Sequence, residues 1–279
     1  MRPIEETTVL ITGATDGLGR GLAERLGAEG ATLLLHGRDS GRLDAVAAAV
    51  REAGNDKVRT FRADFASLQE VRALAADVDG ATEELHVLVN NAGIGSGLPD
   101  GTERQESRDG HELRFAVNYL AGFALTLRLL PLLRRSAPAR IVFVSSLGQA
   151  PIDFDDVMPL DSYDGTRAYC QSKLAQVMLA NELAERLDPA ALSVNSLHPS
   201  TFMPTKIVLE QGRRSVDSLE DGVEATHRLV ADPGLDGDSG RFFDRQSEAA
   251  AHADAYDPQA RRRLWELSLE LTGENDRLG

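Results

Sequence analysis

Tyr169 and Lys173 stand four residues apart in Tyr169-Cys170-Gln171-Ser172-Lys173, a spacing that places both on one face of a helix. A phenol ionises near about pH 10, and a neighbouring ammonium stabilises its phenolate. Such a pair can therefore exchange a proton close to neutral pH; it is equally an ordinary contact on a helix surface. Upstream, Ile141-Val142-Phe143-Val144-Ser145-Ser146 ends a strand-like run in two hydroxyls. Either hydroxyl could hydrogen-bond a carbonyl oxygen as charge develops on it, or simply close a turn. Asn118 lies inside a helical run, where an amide is a poor helix former. It reads as a purposeful side chain or as an unremarkable helix-facing asparagine.

The elements that must position these groups alternate. Short apolar runs at Thr8–Ile11, Thr32–His36, Val58–Arg62, Leu85–Val89, Arg140–Val144, Leu192–Leu197 and Arg241–Phe243 read as strands. Longer stretches with helical periodicity separate them: Gly19–Glu29, Arg42–Ala53, Leu68–Val78, His111–Arg134 and Ala168–Leu187. Alternation of this kind predicts an α/β fold, a doubly wound parallel sheet of about seven strands with helices on both faces. Runs that do not alternate with polar residues predict strands buried on both sides. In such a fold ligands collect beyond the carboxyl ends of the strands.

After the first strand comes Thr12-Gly13-Ala14-Thr15-Asp16-Gly17-Leu18-Gly19. Its glycines allow a tight turn and close approach of a pyrophosphate to backbone N–H groups at a helix N-terminus. The position between first strand and first helix makes Gly13, Thr15, Asp16, Gly17, Leu18 and Gly19 candidate dinucleotide-binding residues. No Gly-Lys-Ser/Thr follows, so the turn is not a P-loop. The second strand ends in His36-Gly37-Arg38-Asp39. A carboxylate here would favour NAD, whereas an arginine suits a 2′-phosphate. Gly37 stands about where the carboxylate is expected, and Arg38 follows it, so NADP(H) is expected over NAD(H). Asp39 or Asp16 could instead tie up Arg38 in a surface ion pair.

The chain has 279 residues, with 30 Lys+Arg against 44 Asp+Glu and a net charge of −14. That acidity argues against nucleic acid or an anionic membrane as the main partner. The single cysteine, Cys170, excludes an intramolecular disulfide and suits a reducing, cytoplasmic setting. The N-terminus shows no secretory pattern, and no run of 18 or more apolar residues predicts a membrane span. No repeat or linker divides the chain, so residues 1–279 read as one domain.

Together, Thr12-Gly13-x-x-x-Gly17-x-Gly19, Asn90-Asn91-Ala92-Gly93, Asn118, Ser146 and Tyr169-x-x-x-Lys173 resemble the short-chain dehydrogenase/reductase family, a Rossmann fold. Asp64-Phe65-Ala66-Ser67-Leu68, Leu197-His198-Pro199 and Leu264-Trp265-Glu266-Leu267-Ser268 are similar to its retinol-dehydrogenase-like and WW-domain-oxidoreductase-like branch. The resemblance implies that Tyr169 exchanges a proton with the carbonyl/alcohol oxygen, and that Lys173 assists it and holds the nicotinamide ribose. It implies that Ser146, rather than Ser145, orients the oxygen, and that Asn118 anchors a relay water. Asp64 and Phe65 would flank the adenine, and Asn90, Asn91, Ala92 and Gly93 would line the cofactor. Pro199, Thr201 and Thr205 would meet the carboxamide.

The resemblance also implies a lid over about 200–222, with Phe202, Met203, Ile207, Val208 and Leu209 as its apolar inner face, and a homodimer or homotetramer. A last amphipathic helix is expected over about 257–272. Two features depart from the family pattern. Ser200 follows Pro199 where the family often has glycine, and an acidic insertion carries Asp153, Asp155, Asp156, Asp161 and Asp164. The insertion reads as a solvated loop or as a rim that disfavours anionic substrates. The expected activity is NADP(H)-dependent interconversion of an apolar ketone or aldehyde with its alcohol. The alternatives are a cofactor-binding protein with a regulatory role and a redox-neutral enzyme that uses bound nucleotide.

Overall fold

The structure, a computed structural model, describes residues 2–96, 103–160, 163–205, 208 and 214–278. Its centre is one eight-stranded sheet with the strands in the order β3-β2-β1-β4-β5-β6-β7-β8. They are β1 (Thr8–Ile11), β2 (Thr32–Gly37), β3 (Val58–Arg62), β4 (Val87–Asn90), β5 (Ala139–Val144), β6 (Leu192–His198), β7 (Phe242–Asp244) and β8 (Ser247–Ala249). All pair in parallel except β8, which returns antiparallel against β7. The central strands β1, β4, β5 and β6 are buried along their whole length, whereas the edge strand β3 exposes Arg59, Thr60 and Arg62. Continuous apolar runs thus go to the middle of the sheet, where helices cover both faces.

The sheet holds one strand more than the sequence predicts. Ser247–Ala249 has no apolar run to announce it. It pairs because Arg245 adopts a left-handed φ of +55° and turns the chain back on β7.

Helices α1 (Gly17–Ala28), α2 (Ser40–Glu52) and α6 (Leu219–Ala231) cover one face, packing Leu22, Leu26, Val46, Val50 and Leu229 on Val9, Leu33 and Val142. The other face carries α3 (Leu68–Ala81), α4 (Leu113–Arg135), α5 (Gly165–Arg186) and α7 (Pro258–Thr272) over Leu10, Leu88, Ile141 and Val194. Asp16, Asp39, Ser67, Asp164, Ser218 and Asp257 each cap a helix N-terminus with a side-chain oxygen. Part of the acid surplus is therefore spent on caps. Helix α4 is apolar and long enough to cross a membrane by composition, but 83% of its most apolar window is buried inside the fold.

From β1 the chain winds outward through β2 to β3, then crosses back to β4 on the other side of β1. This reversal opens a crevice beyond the carboxyl ends of β1 and β4. The segments that follow the strands converge there.

Candidate active site

The turn after β1 is held from three sides. Thr12 Oγ1 donates to Val89 O (3.1 Å) and accepts from the N–H groups of Asn91 (2.9 Å) and Ala92 (3.0 Å). Asn91 Nδ2 donates to Thr12 O (2.8 Å) and Gly13 O (3.1 Å). Gly13 has φ +68°, and a Cβ there would lie 2.8 Å from Ala92 Cα. At Gly19 a Cβ would lie 2.3 Å from Gly13 O, so the first turn of α1 sits directly on the loop. The result is a close backbone cradle at a helix N-terminus, the form that suits a pyrophosphate.

His36, at the end of β2, completes the support and was missed as a site residue in the sequence. Its ring stacks on Phe65 with centroids 4.3 Å apart. Nε2 hydrogen-bonds Ala63 O at 3.1 Å, which leaves Nδ1 to accept from the Gly13 N–H at 3.4 Å. Burial holds this imidazole neutral by pushing its pKa down to about 4.

The carboxylates near the cradle have local tasks. Asp16 accepts from Gly17 N, and Asp64 Oδ1 accepts from Ala66 N while Oδ2 lies 3.6 Å from Arg108. Asp16 and Asp39 both face Arg42 at 3.9 Å, and Arg38 is exposed at the end of β2 with no ion pair among the described residues. Thr15 packs its methyl over Gly37: a Cβ at Gly37 would come within 2.4 Å of Thr15 Cγ2. Leu18 is buried in the first turn of α1, and Asn90 turns inward to donate to Thr126 Oγ1 at 3.1 Å.

On the other side of the crevice, α5 carries Tyr169 and Lys173. The Lys173 ammonium lies 5.7 Å from the centre of the Tyr169 ring. It donates to Val144 O (3.0 Å) and Gln176 Oε1 (3.1 Å). Burial pushes its pKa down to about 8. The two serines separate cleanly. Ser145 Oγ is buried and donates to Lys173 O at 2.7 Å. Ser146 Oγ accepts from Gly148 N at 3.0 Å, and its own O–H has no acceptor among the described residues. Gly148 lies between Ser146 and Tyr169: a Cβ there would be 3.4 Å from Ser146 Oγ and 3.8 Å from Tyr169 Cε1.

Asn118 sits in a π-helical turn of α4, Ala116–Leu120. Its side chain accepts from Ile94 N (2.8 Å) and donates to Ile94 O (3.1 Å) and Ser172 Oγ (2.9 Å). It thereby ties α4 and α5 to the strand end at Gly93. Nearby, Arg114 and Glu112 form a fully buried ion pair joined by Tyr163 OH, and Arg114 also donates to Gly95 O and Ser96 O. Neither this network nor Gln176 was singled out in the sequence, although Gln176 lies one turn beyond Lys173 on the same face.

After β6, Pro199 and Ser200 are buried, and Ser200 Oγ, Thr201 N and Arg245 all donate to Asp217 Oδ2. The serine that stands where glycine was expected is thus fixed by its hydroxyl. Thr205 lies over the cradle, its Cγ2 2.9 Å from where a Gly17 Cβ would be. Met203 packs against Gly222 of α6, Val208 is buried, and Phe202 is partly exposed at a φ of +46°. Lys206, Ile207 and Leu209 of the expected lid lie outside the described residues, as does Asp161 of the acidic insertion. In that insertion Asp153 pairs with Arg167 (2.6 Å) and Asp155 with Arg263 of α7 (3.3 Å). Arg263 also stacks on Phe154.

Sequence and structure comparisons bear on the family and the fold. The short chain dehydrogenase profile matches residues 7–214. Mouse (Mus musculus) retinol dehydrogenase 13 is 35% identical over 285 residues, which cover 95% of this chain and 84% of that protein. Mouse polyprenol dehydrogenase is 34% identical over 283 residues, 95% and 83% of the two chains. A crystal structure of an uncharacterized protein from Mycobacterium paratuberculosis superimposes with a TM-score of 0.78 at 28% identity, covering 97% of this chain and 94% of that one.

Proposed function

The chain belongs to the short chain dehydrogenase family, and we propose that it is an NADP(H)-dependent oxidoreductase that interconverts an apolar ketone or aldehyde with its alcohol. The observation that carries the reading is the buried Lys173 ammonium beside the Tyr169 ring, with the Ser146 hydroxyl across Gly148. The backbone cradle around Gly13, Gly17 and Gly19 fits a dinucleotide pyrophosphate, since any side chain there would fill it. When bound, the nicotinamide supplies or accepts the hydride.

The protein's own groups handle the proton. Ser146 directs its free O–H to the substrate oxygen and holds it beside Tyr169. Tyr169 gives its phenolic proton to that oxygen in reduction and takes it back in oxidation. The positive charge of Lys173 stabilises the phenolate left behind. Asn118 keeps α4 and α5 in register through Ile94 and Ser172, so Tyr169 and Lys173 arrive already placed. Asn91, Ala92 and Gly93 shape the cofactor wall, Phe65 and Asp64 frame the adenine end, and Pro199, Thr201 and Thr205 frame the nicotinamide end. Arg38, unpaired among the described residues at the end of β2, would grip a 2′-phosphate.

Residues 1–279 act in this reading as one domain whose substrate mouth is edged by the segment about 200–222. Leu147, Leu160, Phe202 and Val216 are exposed apolar side chains on the segments after β5 and β6, which supports an apolar substrate. Retinol and polyprenol, for which two of the relatives are named, are of that class. We place the chain in the cytoplasm, in keeping with its single free cysteine and the burial of α4. A homodimer or homotetramer would use a surface other than the outer face of α4, which α7 covers through Tyr119–Ser268 and Phe123–Trp265 contacts.

The test follows NADPH and NADH absorbance with a panel of apolar aldehydes and ketones, retinal among them. NADPH oxidation that Tyr169→Phe reduces at least about 100-fold is the expected result, on the scale of losing a positioned general acid. Unchanged turnover in that variant would refute the assignment.

A further inference from the structure

An ammonium has three protons to place, and the structure shows where two of those of Lys173 go. One is donated to Val144 O at the end of β5, the other to Gln176 Oε1 one turn further along α5. Gln176 is itself buried, at 2% exposure. Both acceptors are neutral amide oxygens. They stabilise the charge as dipoles, without the locking that a carboxylate would impose.

The other groups around the ammonium add no negative charge. Tyr169 faces it from α5, and Asn118 faces it across Gly93, whose Cβ position is 3.7 Å from Lys173 Nζ and 3.2 Å from Asn118 Oδ1. His198 on β6 feels the positive charge of Lys173, and burial pushes its own pKa down. Among the described residues no carboxylate pairs with Lys173. The Gln176 carbonyl is therefore a side-chain acceptor, buried with the ammonium, that offsets part of the cost of burying this cation.

We propose that Gln176 is a positioning residue that acts through Lys173: its amide oxygen fixes the ammonium and sets the pH at which the site loses that charge. The proposal rests on the catalytic reading of Tyr169 and Lys173 for its consequence, but not for its test. An amide oxygen at this point keeps the cation present near neutral pH while leaving one N–H free for a ligand or for the Tyr169 side. A carboxylate would hold the cation to higher pH and draw it toward α5. An aliphatic side chain would leave it under-solvated and easily deprotonated.

The chain contains only three lysines, Lys57, Lys173 and Lys206, so the charge can be read directly. Lysine 13Cε NMR shifts are titrated in a K57R/K206R background, which leaves Lys173 alone, and in the same background with Gln176→Glu or Gln176→Leu. The expected midpoint near pH 8 rises by about one unit or more with Gln176→Glu and falls with Gln176→Leu, since an opposite charge favours the ammonium and lost solvation disfavours it. In turnover, the alkaline limb of the pH profile moves with the midpoint. Midpoints that coincide across folded proteins overturn the proposal. Should Gln176→Leu fail to fold, the direction of the Gln176→Glu shift decides alone. If Tyr169→Phe retained full activity, the catalytic reading would fall, yet the NMR midpoints would still judge Gln176.

Discussion

Gly19→Ala and Gly80→Ala make the same chemical change in two helices and are expected to have opposite signs. Alanine is favoured over glycine inside a helix by about 1 kcal/mol. At Gly80, exposed in α3, an added Cβ meets nothing within 4 Å, so that gain is realised in part, at about 0.5 kcal/mol. At Gly19 the Cβ would lie 2.3 Å from Gly13 O and 2.5 Å from Asn91 Nδ2. The first is a backbone atom of the cradle and cannot swing aside. Overpacking of this kind costs about 1–3 kcal/mol, and disturbing the Asn91 bonds to Thr12 O and Gly13 O adds roughly 1 kcal/mol.

Less the helix gain, the net loss at Gly19 is about 2 kcal/mol. At this chain length 1 kcal/mol is worth about 2–4 °C, so the melting temperature should drop by about 4–8 °C. Scanning calorimetry of wild type and both variants makes the comparison, and NADPH binding by Gly19→Ala should weaken with it. A Gly19→Ala protein that melts at or above wild type would refute the claim that α1 is pressed onto the loop.

Two further expectations concern the cofactor end of the crevice. His36 is buried and neutral, with its pKa lowered to about 4 from an ordinary 6.5. Above pH 6.5 it is neutral both folded and unfolded, and costs nothing. As pH falls toward 4 the unfolded chain takes up the proton first, so stability is lost by up to about 3 kcal/mol across that window. Denaturant melts of His36→Gln should show a shallower loss between pH 6.5 and 4; a slope equal to wild type would contradict the assignment. The slope will not vanish, because His86 and His198 are lowered in the same direction by burial. Arg38→Ala should weaken NADPH binding by about 10- to 100-fold, the value of hydrogen bonds to a charged group, and leave NADH binding within about twofold. Equal weakening of both would show that Arg38 does not read the 2′-phosphate.

What the sequence made legible was whatever a short stretch decides for itself. Val9, Leu10 and Ile11 belong to a buried strand whatever their neighbours, and Tyr169 and Lys173 share a helix face by spacing alone. The eighth strand was illegible because Ser247, Glu248 and Ala249 have no strand pattern; their pairing comes from a turn in which Arg245 takes a conformation more usual for glycine. The π-helical turn at Asn118 was illegible for the same kind of reason. Within that turn Asn118 meets a partner 24 residues away, the Ile94 backbone, which takes both ends of its amide and which no local pattern announces. The resemblance already preferred Ser146 to Ser145, and packing adds a physical reason the residues alone do not hold, since Lys173 O accepts the Ser145 hydroxyl.

Gly37 shows the limit most sharply. In the sequence it is a missing carboxylate, a negative observation that points to NADP only through its neighbour Arg38. In the structure it is a contact: Thr15 Cγ2 lies 2.4 Å from where a Cβ at Gly37 would be. An aspartate at 37 would strike the phosphate loop unless Thr15 moved or shrank. Glycine at 37 and threonine at 15 are therefore sterically coupled across two distant positions, and Gly37→Asp first requires the Thr15 side chain to turn away or be shortened. On the proposed reading of Arg38, a double variant at 37 and 15 is the one expected to keep the fold of the loop, and calorimetry of Gly37→Asp with and without Thr15→Ser checks the coupling.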